Sequence, residues 1–465
     1  MNKLICKVSS IIPTTIVPTK SLLFSNSAFR NRYNLLKEAE FWSPTDVIAW
    51  QTDQLSELLI DVYQGVEAVR NHWVKAGFNP KDFARLSHIN DIPLYDKQFV
   101  KQASDGMFNS SFPKNKATYR FTGGSTGAPM KFALEQRQIY EEKAYFYYIW
   151  EKHGYRIGDK CVLLKGDKLA SAGGHRLHEK DGIFNYLKLD SDYLVSEKHI
   201  DIYDAAIRKY GAKFLFGFPS SVYLLASLYV RTNRKAPQFD VIFLASENTY
   251  PDQINFIKDV FGANDVFYHY GHSEYATLAF KYHNNDKLGF VPFYGISQLI
   301  DDKGKEIQTA GKLGEIVVTG FSRAQPFIRY KTNDFAVSSD YESADYMKNY
   351  RSVERIEGRI QEFIVTKDER IVSICSMGAA HFEGMNSLVD TQYEQSEIGK
   401  LTFNIVTEKE SHVSELFKNG LKIKIEEKLE HSVDVEICQV NQVNRTGLGK
   451  KSMIRQNLDI KKYIG

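Results

Sequence analysis

Cysteine is scarce in this chain. Four occur in 465 residues, at positions 6, 161, 375 and 438, and no two form a Cys-x-x-Cys pair. That spacing excludes a disulfide framework and a finger-type thiolate zinc centre. A reducing cytoplasm is the expected setting. Charge of one sign is also lacking. The chain has 60 basic and 57 acidic residues, a net charge of +3, and no block of like charge. No electrostatic footprint for nucleic acid follows, and none is expected as a partner. Long apolar runs are missing as well. The opening "MNKLICKVSSIIPTTIVPTKSLLF" is interrupted by Lys7, Pro13, Pro18 and Lys20. No stretch reaches signal-peptide length or the ~20 residues of a membrane span, so a protein without a transmembrane segment is expected. Internal repeats and low-complexity segments are absent.

What is present is globular. Hydrophobic residues make up 43% and charged residues 25%, and the length asks for two or three domains. The 27 Tyr and 30 Phe favour sheet and an aromatic-lined pocket. Residues 34–110 read as mostly helical from the spacing in "NLLKEAEFW" and "LSELLIDVYQGVEAVRNHWVKAG". From 160 the pattern changes to alternating strand and helix. The strands are "KCVLLKG", "AKFLFGFPS", "FDVIFLASEN" and "DVFYHYGHSE"; the helices are "IDIYDAAIRKYG", "SSVYLLASLYVRT" and "YPDQINFIKDVFG". Such alternation gives parallel strands with crossover helices, and continuous apolar strands such as "VIFLA" fit a sheet covered on both faces. Ligands in such sheets sit beyond the carboxyl ends of the strands. Those ends are Gly217-Phe218-Pro219-Ser220, Ala245-Ser246-Glu247 and Tyr270-Gly271-His272-Ser273-Glu274. From about 288 the chain is β-rich, and a boundary falls near 357, where "IEGRIQEFIVTKDERIVSI" reads as a hairpin. The expected fold is α/β. A large domain, 1–357, carries parallel-sheet βαβ units and a β-rich subdomain; a small α+β domain, 358–465, follows.

Several short stretches could carry chemistry, and each has a plainer reading. "YRFTGGSTGAPMKFALE" holds Thr122-Gly123-Gly124-Ser125-Thr126-Gly127 between two β-prone runs. Glycines let successive N–H groups line one concavity, which suits an anion; a flexible hairpin tip is the alternative. Lys131 beside it is a counter-charge for phosphate or a solvated lysine. Glu274 is a ligand for Mg²⁺, a hard cation, or a surface glutamate in a turn. Tyr270 could stack on a base, and His272 could equally be a packed histidine. Asp334 interrupts the alternation of "FIRYKTNDFAV". It could accept from two ribose hydroxyls or pair with Arg329 or Lys331. Arg359 opens the last domain, and Lys450 stands in a glycine-softened loop. "LASAGGHRLHEKDGIF", residues 169–184, and the stretch 217–250 are expected to supply pocket residues; within the first, "SAGGHR" reads as a candidate mobile substrate loop, with His175 and Arg176 in it, or as a plain surface loop.

Taken in order, these stretches resemble the adenylate-forming superfamily of acyl-CoA synthetases. "TGGSTGAP" is similar to its phosphate loop, "YGHSE" to its Tyr-Gly-x-Thr/Ser-Glu motif, and "RYKTND" to its Tyr-x-Thr-Gly-Asp motif. "EGRIQEFI" resembles its Gly-Arg hinge and "RTGLGK" its C-terminal lysine motif. Within the superfamily, "VKAGFNPKDFARLSHINDIPLYDKQFV" and "GFPSSVYLLA" resemble the phenylacetate-CoA ligase and CapK-like branch of capsule biosynthesis. The resemblance covers about residues 55–455.

The resemblance implies an enzyme that activates a small-molecule carboxylate with ATP and Mg²⁺. The product is an acyl-adenylate, with release of pyrophosphate; the acyl group then passes to an acceptor. Thr122, Gly123, Gly124, Ser125, Thr126 and Gly127 would hold the phosphates. Tyr270 would pack on adenine, bordered by Ser246 and Glu247. Gly271, His272 and Ser273 complete that motif, and its Glu274 would bind Mg²⁺. Asp334, helped by Arg359, would bind the ribose. Lys450 would reach the α-phosphate from a small domain that rotates as a lid. The acceptor is a sugar amine, an amino group or a carrier in surface-polysaccharide assembly, or, alternatively, coenzyme A. A nucleotide-binding scaffold without turnover is the reading of another class.

The chain departs from the family pattern at four points. Asn333 replaces the glycine before the aspartate, and Gln361 occupies the hinge position. Leu448-Gly449 precedes Lys450 without the usual serine, and Lys451 follows at once, leaving Lys450 and Lys451 both open as the catalytic lysine. The cysteine cluster that binds zinc in some relatives is missing.

Overall fold

Apolar strands need helices on their faces, and the computed structural model supplies them where the sequence alternates. It describes residues 19–463 except 122–129, 166–168, 172–173, 192–193, 195–196, 284, 360–361, 375–387, 389, 408–412 and 446–451. Contacts group the chain into two compact units, neither of them continuous. The first comprises 1–21, 155–268 and 357–465, and the second 22–154 and 269–356.

The first unit contains the expected βαβ series. Cys161–Leu164, Phe214–Gly217 and Val241–Ala245 are neighbouring parallel strands. Helices Ile200–Tyr210, Pro219–Arg231 and Pro251–Phe261 connect the series. Two of these helices stop for a local reason. Gly211 and Gly262 follow them at φ 65° and 57°, the left-handed region that glycine enters without a Cβ penalty. Burial runs the whole length of Val241–Ala245, as a strand covered on both faces requires. Gly217 lets two elements approach. A Cβ there would lie 2.6 Å from the Leu164 carbonyl oxygen and 2.7 Å from a Val222 methyl.

One stretch of this unit holds strands that the sequence reading did not name. Ala170–Ser171 pairs with Gly174–His175, and His178–Asp181 pairs antiparallel with Tyr186–Leu189. Tyr186–Leu189 in turn joins Cys161–Leu164 in parallel. His178–Asp181 is polar and largely exposed at the end of the strand order, so it carries no apolar signal. Toward the C-terminus, Asp390–Glu397, Lys400–Val406, Asp434–Gln439 and Ile454–Gln456 form a four-stranded sheet. Helix Glu415–Lys428 packs Leu421 and Ile425 into a core with Tyr393, Phe403 and Ile454. The hairpin read after 357 is present as Phe363–Val365 paired with Ile371–Ser373.

The second unit joins the helical N-terminal part to antiparallel strands. Helices Ser27–Ala39, Pro44–Gly65, Glu67–Lys75 and Gln136–Lys152 belong to it. Pro44–Gly65 begins with a capping box between Ser43 and Asp46, which satisfies two N-terminal N–H groups reciprocally. Gly295–Ile300 pairs with Leu313–Gly320, which pairs with Tyr330–Ser338. Leu278–Lys281 pairs with Leu288–Phe290. The flanks of the Thr122–Gly127 loop are strands, Ala117–Phe121 against Lys131–Glu135; the loop itself lies outside the described residues.

Two glycine substitutions should have opposite effects on stability. Gly217→Ala places a methyl against backbone and should destabilise by ~1–3 kcal/mol. Gly420→Ala, mid-helix with nothing within 4 Å of the new Cβ, should stabilise by ~0.5–1 kcal/mol. Denaturant midpoints test this; equal midpoints for the two variants would refute the close-approach account.

Candidate functional site

Strand Asp265–Gly271 ends in the turn that holds His272, Ser273 and Glu274, and the chain returns as Leu278–Lys281. Tyr270 pairs with Ala279 and Gly271 with Leu278. The turn rests on two glycines that face each other across neighbouring strands, Gly295 and Gly320. A Cβ on Gly295 would sit 2.2 Å from the Ala276 carbonyl oxygen, and one on Gly320 would sit 2.9 Å from Ala276 Cα. Only bare backbone lets the segment after Glu274 lie this close. Tyr275 takes the left-handed region, at φ 56°. Burial and the Glu142 carboxylate that its hydroxyl meets hold the Tyr275 phenol protonated well above its ordinary range. Tyr294 donates to the same carboxylate at 3.2 Å.

Glu274 is buried, at 9% exposure. Its Oε2 lies 3.1 Å from His272 Nδ1, close enough for electrostatic contact yet not aligned as a hydrogen bond. The strength of this contact therefore depends on whether the imidazole is protonated.

Asp334 is brought to the same place by a bulge. The pairing runs Glu315 to Phe335 and then Val317 to Lys331, so Thr332, Asn333 and Asp334 stand opposite Ile316 alone. Asn333 adopts φ 60°. Asparagine is among the few residues other than glycine at ease there. Side chains take up the bulge's backbone groups. Asn333 N donates to Glu315 Oε1 at 3.1 Å, Thr332 Oγ1 donates to the Ile316 carbonyl at 2.7 Å, and Asp334 N donates to Thr332 Oγ1 at 3.0 Å.

The outcome is a short contact between two motif residues 64 positions apart. Tyr270 Oη donates to Asp334 Oδ2 at 2.6 Å. Tyr270 takes one of the about four acceptor positions that a carboxylate offers. The basic neighbours of Asp334 are engaged elsewhere. Lys331 Nζ pairs with Glu315 at 3.0 Å. Buried Arg329 donates to the Asn90 and Ile92 carbonyls at 2.7 Å each. Burial lowers the affinity of that guanidinium for its proton. Those bonds, with the pairing of Tyr95–Asp96 to Tyr330–Lys331, give "LSHINDIPLYD" its role, to brace the strand that carries Asp334.

In the first unit the remaining strand-end residues have a different arrangement. Ser246 turns the chain at φ 70°. Glu247 then meets the start of helix Pro219–Arg231. Ser220 N donates to Oε2 at 2.9 Å and Ser220 Oγ donates to Oε1 at 3.0 Å. The carboxylate caps the positive end of that helix, a role the sequence reading did not give it. Asn248 Nδ2 donates to Glu362 Oε2, tying the segment after Gly358 to the same turn. Arg359 ends strand Arg351–Arg359. Thr122, Gly123, Gly124, Ser125, Thr126 and Gly127, with Gln361, Lys450 and Lys451, lie outside the described residues.

A cavity of about 280 Å³ in the second unit is lined by Arg32, Arg137, Arg323 and Glu135. It contains none of the motif residues, and its guanidiniums pair with Glu141, Glu135 and Glu57, so its charge is compensated.

The donor set fits a nucleotide with Mg²⁺. Magnesium takes one or two protein carboxylates and fills its other positions with water and phosphate. One buried glutamate matches that demand; a site that holds the ion without a nucleotide would need more oxygens. The sequence reading missed Gly295, Gly320 and Glu315. Their roles depend on strand register, for which adjacent residues carry no signal.

No protein-family model matches the chain. Among curated proteins it is similar to Protein CapK of Staphylococcus aureus, 23% identical over 384 residues, 80% of this chain and 81% of that protein. Among solved structures it is similar to 2-hydroxyisobutyryl-CoA ligase in the postadenylation state in complex with 2-HIB-AMP. The TM-score is 0.68 at 15% identity, over 89% of this chain and 90% of that one. The same ligase with 2-HIB-AMP and CoA in the thioesterification state gives 0.54 at 15% identity, over 92% and 93%. The chain has the fold of the adenylate-forming acyl-CoA ligases.

Substitution of Asn333 tests the bulge. Asn333→Gly should leave stability within ~0.5 kcal/mol, whereas Asn333→Val should lose ~1–3 kcal/mol because a β-branched residue is strained at positive φ. Equal denaturant midpoints for Gly and Val would show that the strain is not there.

Proposed function

We propose that this chain activates a small-molecule carboxylate with ATP and passes the acyl group to an acceptor. The observation that carries this reading is the Tyr270–Asp334 contact, with buried Glu274 in the turn three positions beyond Gly271. Three residues from two separate motifs meet in one unit, on the fold of the adenylate-forming ligases.

The chemistry follows from the donor set. An oxygen of the substrate carboxylate attacks the α-phosphorus of ATP, and the bond to the pyrophosphate oxygen breaks. Such a step needs positioning and charge neutralisation more than proton transfer. Asp334 takes the ribose hydroxyls, with Arg359 as its helper. Tyr270, its hydroxyl anchored on Asp334, offers its ring to adenine. Glu274 would hold Mg²⁺, which would supply neutralisation of phosphate charge. Thr122, Ser125 and Thr126 bind the phosphates with the backbone of Gly123, Gly124 and Gly127. Ser246 and Glu247 border the base, and Lys450 contacts the α-phosphate from a 358–465 lid that closes over the 1–357 domain.

Similarity to Protein CapK supports an acceptor in surface or capsular polysaccharide assembly, a sugar amine, amino group or carrier. A second reading, transfer to coenzyme A, draws on the likeness to a CoA ligase.

Pyrophosphate release with ATP and Mg²⁺, across aryl acetates, fatty acids, amino acids and sugar acids, tests the proposal. Release should depend on one acid class and fall roughly 10²-fold in Lys450→Ala, with Lys451→Ala as comparison. Glu274→Gln should raise the Mg²⁺ concentration needed. Turnover that requires coenzyme A selects the second reading. ATP binding without acid-dependent release from any class would contradict the enzyme reading.

A further inference from the structure

His153 and His283 come from distant parts of the chain and meet within the second unit. His153 is the C-cap residue of helix Gln136–Lys152 and is buried, at 7% exposure. His283 stands in the turn after strand Leu278–Lys281 and is exposed. The ring centroids are 5.2 Å apart with the planes at 57°. A ring nitrogen of each lies within 4.8 Å of one on the other.

A neutral imidazole presents one nitrogen lone pair. Two such lone pairs from different elements are a chelate. Imidazole nitrogens bind zinc at ~2.0–2.1 Å, which puts two ligand nitrogens on one tetrahedral ion ~3.3 Å apart. A rotation of the exposed His283 ring can close that gap, while buried His153 is held by its helix. Nitrogen donors select borderline ions such as Zn²⁺, Cu²⁺ or Ni²⁺ over Mg²⁺, which takes oxygen.

The pair is also separate from the nucleotide site. Gly271 pairs with Leu278 at the turn that carries Glu274, whereas His283 follows Lys281 at the other end of the same strand. We propose that His153 and His283 form a binding site for a borderline divalent transition-metal ion, stapling the end of the helix to the turn between Lys281 and Leu288.

Full-length protein, made without a polyhistidine tag and stripped with chelator, is titrated calorimetrically with Zn²⁺. One equivalent should bind, at least tenfold more weakly in His283→Ala, whose exposed site spares the core. Zn²⁺ should raise the Tm of the parent and not of His283→Ala, since an ion that binds the folded state stabilises it. His153→Gln should weaken binding likewise. Equal affinity in parent and His283→Ala, no stoichiometric uptake, or a Co²⁺ spectrum with a thiolate charge-transfer band would each overturn the assignment.

Discussion

The contact between Tyr270 and Asp334 is the constraint on which the candidate site depends. A carboxylate that is only 7% exposed loses hydration and must be compensated by donors. Tyr270 gives it one at 2.6 Å. The two residues come from different strands, so the bond requires each strand to depart from regularity. The strand of Asp334 does so by placing three residues against one, with Asn333 in the left-handed region. The strand of Tyr270 does so by ending at Gly271 and turning through Tyr275, also at positive φ. Neither irregularity is stable by itself. Glu315 and Thr332 satisfy the backbone of the first, and Gly295 and Gly320 leave room for the second.

This arrangement links sequence to chemistry through backbone strain. A bulge is the economical way to turn one side chain out of strand alternation. It places a carboxylate beside a phenol while the strand continues to pair. Arg329 and the segment 90–96 hold the same strand just before the bulge. The polar groups that would bind a nucleotide are therefore set on rigid elements. The groups that would act on phosphate, in the 122–127 loop and around Lys450, are glycine-softened in sequence.

Much of this was legible in the sequence because period and composition are local. The βαβ series from 161 onward was read from short apolar strands alternating with helical stretches. The hairpin flanking Thr122–Gly127 was read from two β-prone runs, and the fold class followed. The broken alternation at Asp334 was visible, but its cause was not, since a bulge is defined by the partner strand. Gly295 and Gly320 are ordinary strand glycines until register sets them face to face. Glu247 was read as bordering the nucleotide; its bonds to the start of the helix at Pro219 are a link between strand end and helix start that no local pattern carries. The edge strand His178–Asp181 was missed because its residues are polar on both faces.

A double-mutant cycle on Tyr270→Phe and Asp334→Asn, read as ATP affinity by calorimetry, tests the central claim most directly. A hydrogen bond to a charged group that organises the nucleotide site predicts that each single variant binds ~10-fold more weakly. The double variant should then bind about as the weaker single one does, a coupling of ~1.4 kcal/mol. Losses that simply add, or affinities that do not change, would show that the contact does not organise nucleotide binding.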